Sequence, residues 1–198
     1  MLRRIELLVK LSGDGARFTL VAHRGKRPVM SRHGTEGNPA HGWQHSPYAL
    51  GDALRWRGNV GILTGDYSAG IGAIDADDGA TCYTEAWPKL RQAIRIYRDD
   101  DVNRAKWLVR APRGYVTRWN GFAGLDLLFN GDFGANAVAI GTHVWGAPLL
   151  WDGAGIPDFT ADELDSIFDW RLASSVAVSG VNRQTVDAFT RYDVLMHK

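Results

Sequence analysis

The chain has 198 residues, 45% of them hydrophobic and 23% charged, with a formal net charge of +1. This composition supports one domain with a full apolar core and excludes a protein that coats nucleic acid by bulk charge. The single cysteine, Cys82, excludes an internal disulfide and a cysteine-based zinc site, and no apolar run reaches the roughly 20 residues of a membrane span.

Residues 1–15 (MLRRIELLVKLSGDG) place charge before apolar residues, but Glu6 and Lys10 interrupt any signal-peptide core. The spacing predicts a short amphipathic helix with Leu2, Ile5, Leu8 and Val9 on one side, and a cytoplasmic protein. Residues 18–22 (FTLVA) read as a strand. A long loop follows to His45, carrying six Gly or Pro residues from Gly25 to Gly42, and loops of this length are usually functional or disordered. Ser46 or Pro47 is expected to open a helix running to Trp56. NVGIL (59–63) and GIGAID (70–75) are short apolar strands around the turn TGDYSA, and a helix is expected over residues 80–93.

Next comes a run of β signals: IRIY, AKWLVRA, GYVTRW, GLDLLF and NAVAIG. Asn130-Gly131, between the last two, is the strongest local hairpin signal in the chain. From Thr160 the tail reads as two helices, with Thr160 and Glu163 forming a capping box. The expected fold is α+β: a mixed or antiparallel central sheet with an N-terminal α/β part and C-terminal helices. The main domain spans residues 1–158, and residues 159–198 are a helical extension packed on it or leading from it.

Charge is distributed unevenly. Residues 1–57 hold ten Lys/Arg against four acids, whereas residues 158–169 hold five acids and no base. Such asymmetry fits a basic face that meets phosphates, and is also common in proteins that bind nothing charged.

Four segments carry residues suited to chemistry. Alternation along a strand puts Asp75 and Asp77 on one face, with Cα atoms about 6.5–7 Å apart. That spacing suits carboxylates converging on Mg²⁺ or Mn²⁺, although acids at this position also cap helices. Lys106 and Arg110 share a strand face about 13 Å apart, within reach of different parts of a bound triphosphate or simply solvated. Asp126 sits alone in an apolar run (GLDLLF), where a carboxylate requires a partner: a metal ion, an arginine such as Arg118, or solvent. His143 follows Gly141, which permits close backbone approach, so it could donate to a phosphate or serve a structural role.

In this order, the segments resemble the primase-polymerase branch of the archaeo-eukaryotic primase superfamily, over residues 25–151. Gly25-Lys26-Arg27-Pro28 and Gly42-Trp43 resemble the family's entry, residues 59–65 (NVGILTG) its turn into the acidic strand, and Ile74-Asp75-Ala76-Asp77 its metal motif. Asp126 stands at the third acid, and residues 138–143 with Gly146, Pro148 and Trp151 resemble the family's ending. Many members carry a small-x-His motif between the acids; this sequence has none there, and residues 104–110 (RAKWLVR) resemble a phage and mobile-element variant instead.

The resemblance implies an RRM-like palm and template-dependent transfer of a nucleotide from a (d)NTP to a 3′-hydroxyl or an initiating nucleotide. It implies two Mg²⁺ or Mn²⁺ ions held by the catalytic residues Asp75, Asp77 and Asp126, and nucleotide contacts from Lys106, Arg110 and His143. Arg24, Lys26 and Arg27 are candidates for template or nucleotide phosphate; Trp43 could stack on a base, and a core or loop-pinning role is the expectation for it. Single-stranded DNA, nucleoside triphosphates and a helicase domain or protein are the implied partners, in a bacterial or archaeal cell or a phage-infected host. A weakly catalytic nucleotide or single-stranded-DNA binding module, and a metal-dependent nuclease or cyclase, are the competing readings.

Overall fold

The fold is α+β in a computed structural model that describes residues 2–26, 28–29, 47–120, 124–129 and 136–179. In chain order the elements are α1 (Leu2–Gly13), β1 (Phe18–Val21), α2 (Leu50–Arg55), β2 (Asn59–Leu63), β3 (Ile71–Ala76) and α3 (Ala80–Ala86). There follow β4 (Ile94–Arg98), β5 (Asp101–Arg110), β6 (Arg118–Asn120), β7 (Leu125–Leu128), β8 (Asn136–Ile140), β9 (Leu149–Asp152) and α4 (Ala161–Ser179). Strands β1-β2-β8 form a three-stranded sheet and β6-β7-β3-β5-β4-β9 a six-stranded one. Every strand pair in both is antiparallel.

The period-2 pattern of the strands explains the layering. One face of the six-stranded sheet carries Ile71, Ala73, Ile94, Leu108 and Leu128, which share a core with Phe18, Val60, Ile62, Ala137 and Ala139 of the other sheet. The opposite face carries Ile74, Trp107, Val109, Leu125 and Leu127, which pack with Tyr83 of α3 and Leu164, Ile167 and Phe168 of α4. The start of α4 therefore belongs to the second core. It is anchored by the expected capping box: Thr160 N–H donates to Glu163 Oε2 (2.7 Å) and Glu163 N–H to Thr160 Oγ1 (3.2 Å).

Several expectations are corrected. Helix α1 buries Leu7, Leu8 and Leu11, while Ile5 and Val9 stay exposed. Both stripes are apolar, and the one facing β1 and β2 was selected by packing. Helix α2 starts at Leu50 because the Tyr48 backbone is taken up by Phe18 of β1 (N···O 2.8 and 3.0 Å). The helix over residues 80–93 stops at Ala86 and resumes as a 3₁₀ segment, Pro88–Gln92. Pro88 disfavours the α conformation at Trp87. Of GYVTRW only Arg118 and Trp119 are strand, in a β6 that ends at Asn120, and β9 was not foreseen. Strands β7 and β8 do not pair with each other: β7 lies beside β3 and β8 beside β2, in different sheets. The Asn130-Gly131 turn, Trp43 and a second tail helix lie outside the described residues.

Candidate functional site

At one end of the six-stranded sheet, the face turned toward the three-stranded sheet changes from apolar to charged. The registers set Trp119 opposite Asp126, Asp126 opposite Asp75, Asp75 opposite Lys106, and Lys106 opposite Ile96. Opposed residues of antiparallel strands point to the same side with Cβ atoms about 4.5–5.5 Å apart. Two acids 51 positions apart in sequence are thus neighbours. Asp77 lies one step beyond the end of β3, and its N–H donates to Gly124 O at 2.8 Å, which extends the β3–β7 pairing and keeps Asp77 in phase with Asp75. The acid strand is not followed by an acid-capped helix: the residue before α3 is Gly79, and no side chain caps it.

Asp75, Asp77 and Asp126 line one cleft of about 240 Å³, together with Lys106, Lys26 and His143. The expected catalytic residues and three of the expected phosphate contacts therefore meet. Lys106 Nζ sits 2.5 Å from Asp75 Oδ2, and Arg104 Nη1 lies 3.5 Å from Asp77 Oδ1. Arg118, the alternative partner for Asp126, instead reaches Asp165 (2.6 Å) and Asp169 (3.8 Å) on α4. Among the described residues, no three His, Cys, Asp or Glu side chains form a ready-made metal centre. The donor chemistry nevertheless fits hard divalent cations: carboxylate oxygens are what Mg²⁺ and Mn²⁺ prefer, and the cations paired with Asp75 and Asp77 stand where a bound ion would compete.

The other expected residues are placed differently. Arg110 is on the same face of β5 as Lys106 but at its far end and outside the cleft. It donates to the carbonyls of Ala69 and Asp14 (3.3 Å to the latter) and lies 3.5 Å from Asp158. Arg24 packs over Gly146, where a Cβ would come within 3.0 Å of its Nη2, and is not part of the cleft lining. Arg27 lies outside the described residues.

Buried Asn59, the first residue of the NVGILTG segment, organises the cleft rim. Its Nδ2 donates to Gly25 O (3.1 Å) and Thr142 O (2.8 Å), and its Oδ1 accepts from Thr142 N–H (2.9 Å). A Cβ on Gly141, whose φ is +132°, would fall 2.0 Å from that same oxygen, so glycine is required there. Asn136 Nδ2 in turn holds Lys26 O (3.2 Å). Two asparagines thus fix the backbones that carry Lys26 and His143. Burial, then the cations Lys26, Arg98 and Lys106, push the His143 imidazole below its ordinary 6.5 toward the neutral form.

Two cleft arginines, Arg98 and Arg104, were missed in the sequence. Arg98 had a signal: it follows Ile94 and Ile96 in the inward phase of β4, where a charge is out of pattern. Arg104 had none beyond its place two residues before Lys106. Compared with known proteins, the chain matches no protein-family model, and no curated protein is significantly similar to it.

Proposed function

We propose that this chain is the catalytic domain of a DNA primase-polymerase of the archaeo-eukaryotic primase type, with the six-stranded sheet as its palm. The observation that carries the reading is the side-by-side register of Asp126, Asp75 and Lys106, with Asp77 one step on, in a cleft that also holds His143 and Lys26. A nuclease would need acids and a cleft too. The row of cations beside the acids favours a substrate with several phosphates.

In the proposed reaction, the oxygen of a primer 3′-hydroxyl, or of an initiating nucleotide, bonds to the α-phosphorus of a nucleoside triphosphate. The bond to the bridging oxygen breaks, pyrophosphate leaves with the electron pair, and the hydroxyl proton passes to solvent. Asp75, Asp77 and Asp126 would hold two Mg²⁺ or Mn²⁺ ions, which when bound supply Lewis acidity toward the attacking oxygen and charge neutralisation at the leaving group. Lys106, released from Asp75, contacts the phosphates as a fixed cation. Neutral His143 donates a hydrogen bond to the nucleotide, and Lys26 meets template or nucleotide phosphate without reading sequence. Exposed Trp119, opposite Asp126, offers a stacking surface for a base.

The test is incorporation of labelled nucleotides on single-stranded DNA, primed and unprimed, with Mg²⁺ or Mn²⁺. Asp77→Asn removes a charge from a side chain that is 62% exposed, so the fold should survive it. Product from the wild type and none from the variant is expected. Shortened DNA in place of extended DNA would establish a nuclease. Nucleotide binding without product would leave a binding module.

A further inference from the structure

Arg98 is the most buried charge among the described residues. It is only 9% exposed, lines the cleft, and continues the inward phase of Ile94 and Ile96 on β4. Its Nε and Nη2 hold Asp100 (2.8 and 3.3 Å). Its Nη1 is buried and has no hydrogen-bond partner among the described residues. A buried charged donor left unsatisfied is costly, and an apolar side chain at this position would avoid that cost.

The surroundings increase the demand for an anion. Lys26, Lys106 and His143 line the same cleft, and the side-chain carboxylates that engage Arg98, those of Asp100 and Asp101, approach from its own side, at the start of β5. The indole of Trp145 lies 5.0 Å from the guanidinium carbon and is itself 72% exposed. An aromatic plate over a guanidinium fixes its plane, and a fixed fork is the geometry that recognises phosphate. In the sheet, β4 lies two strands from Asp75 across Lys106, about 9.5 Å at ordinary strand spacing. The β4 residue opposite Lys106 is Ile96, and Arg98 lies two residues further along, past a register shift, opposite Asp101. The acids and Arg98 thus stand on the two sides of β5, with Lys106 and Arg104 of that strand also lining the cleft.

We propose that Arg98, held by Trp145 and flanked by Lys26 and His143, forms a subsite for the terminal phosphates of a nucleoside triphosphate whose α-phosphate lies at the acid row. The assignment rests on the nucleotidyl-transfer reading. It gives the cleft a direction: the polyphosphate tail runs toward β4, and the acceptor hydroxyl enters from the β6 side, past Trp119. Arg98 is a binding group here, and Trp145 a positioning residue acting through it.

The test is a calorimetric titration with a nucleoside mono-, di- and triphosphate series and with inorganic tripolyphosphate, in Mg²⁺ and again in EDTA. The proteins are the wild type, Arg98→Met and Trp145→Ala. Wild-type affinity should rise with phosphate number. Arg98→Met should lower triphosphate and tripolyphosphate affinity by roughly tenfold to a hundredfold, leave the monophosphate unchanged, and do so without divalent ion as well. Trp145→Ala, a change at an exposed side chain, should cost the triphosphate and tripolyphosphate about threefold and leave the monophosphate unchanged. If Arg98→Met does not fold, Trp145→Ala still decides. An unaltered affinity ladder in the variants overturns the subsite while nucleotide binding stands. No binding of any nucleotide by the wild type overturns both.

Discussion

The middle and the end of β5 carry cations on the same face, and the fold uses them in opposite ways. Lys106 stands beside Asp75 in the cleft, at the charged end of the sheet face. Arg110, four residues on, is spent on the carbonyls of Ala69 and Asp14 and on Asp158. Its neighbours along the face, Ile71 and Leu108, are core residues. Lysine is a compact charge on a flexible stem, able to change partners, whereas the arginine fork is suited to tying several acceptors together. One cation is available to a ligand, and the other joins the α1–β1 turn, the β2–β3 turn and the approach to α4.

The largest expected effect separates these roles directly. Lys106→Met should reduce nucleotide incorporation by about a hundredfold while leaving thermal stability close to wild type, since its partner Asp75 remains partly solvated. Arg110→Met should do the reverse, costing about 1–3 kcal/mol of stability from lost charged hydrogen bonds with incorporation at 25 °C nearly unchanged. Denaturant unfolding and primer extension on the same preparations read both. A loss of activity with Arg110→Met at full stability would break the comparison and return this arginine to the substrate.

A smaller effect sharpens the cleft side. The folded state holds His143 below its ordinary 6.5, first through burial and then through Lys26, Arg98 and Lys106. The folded protein therefore binds this proton less readily than the unfolded chain. Stability that is full above pH 6.5 is lost as the pH falls from there through the lower folded value. His143→Gln should remove that component. The difference between wild-type and variant unfolding midpoints should be flat above pH 7 and develop as the pH falls below 6.5. A pH-independent difference would show that neither burial nor those cations disfavours the charged imidazole.

The parts legible in sequence were those fixed by local periodicity and local hydrogen bonding. Strand phase alone put Asp75 with Asp77, and Lys106 with Arg110, on common faces, and the capping box at Thr160 needed only residues three apart. Partner choice was not legible. Asn130-Gly131 between alternating strands argued for a β7–β8 hairpin, yet β7 completes the acid row beside β3 while β8 joins β2, a decision made by which apolar faces could be buried together. The same holds for α1, where two overlapping stripes were apolar, and for Arg110, whose acceptors are backbone carbonyls up to 96 positions away. Arg98 was visible as a break in an alternating strand, and its Trp145 cover was not, because that contact crosses 47 residues.

The most direct test of the acid row is Mn²⁺ binding in the presence of a deoxynucleoside triphosphate, followed by electron paramagnetic resonance. Wild type and an Asp75→Asn, Asp126→Asn double variant would be compared, with folding checked by thermal unfolding. The account predicts that the wild type retains protein-bound Mn²⁺ beyond what the nucleotide alone carries, and that the folded double variant does not. Equal retention by both proteins would contradict it, because the ions would then be held by something other than the side-by-side acids of β3 and β7.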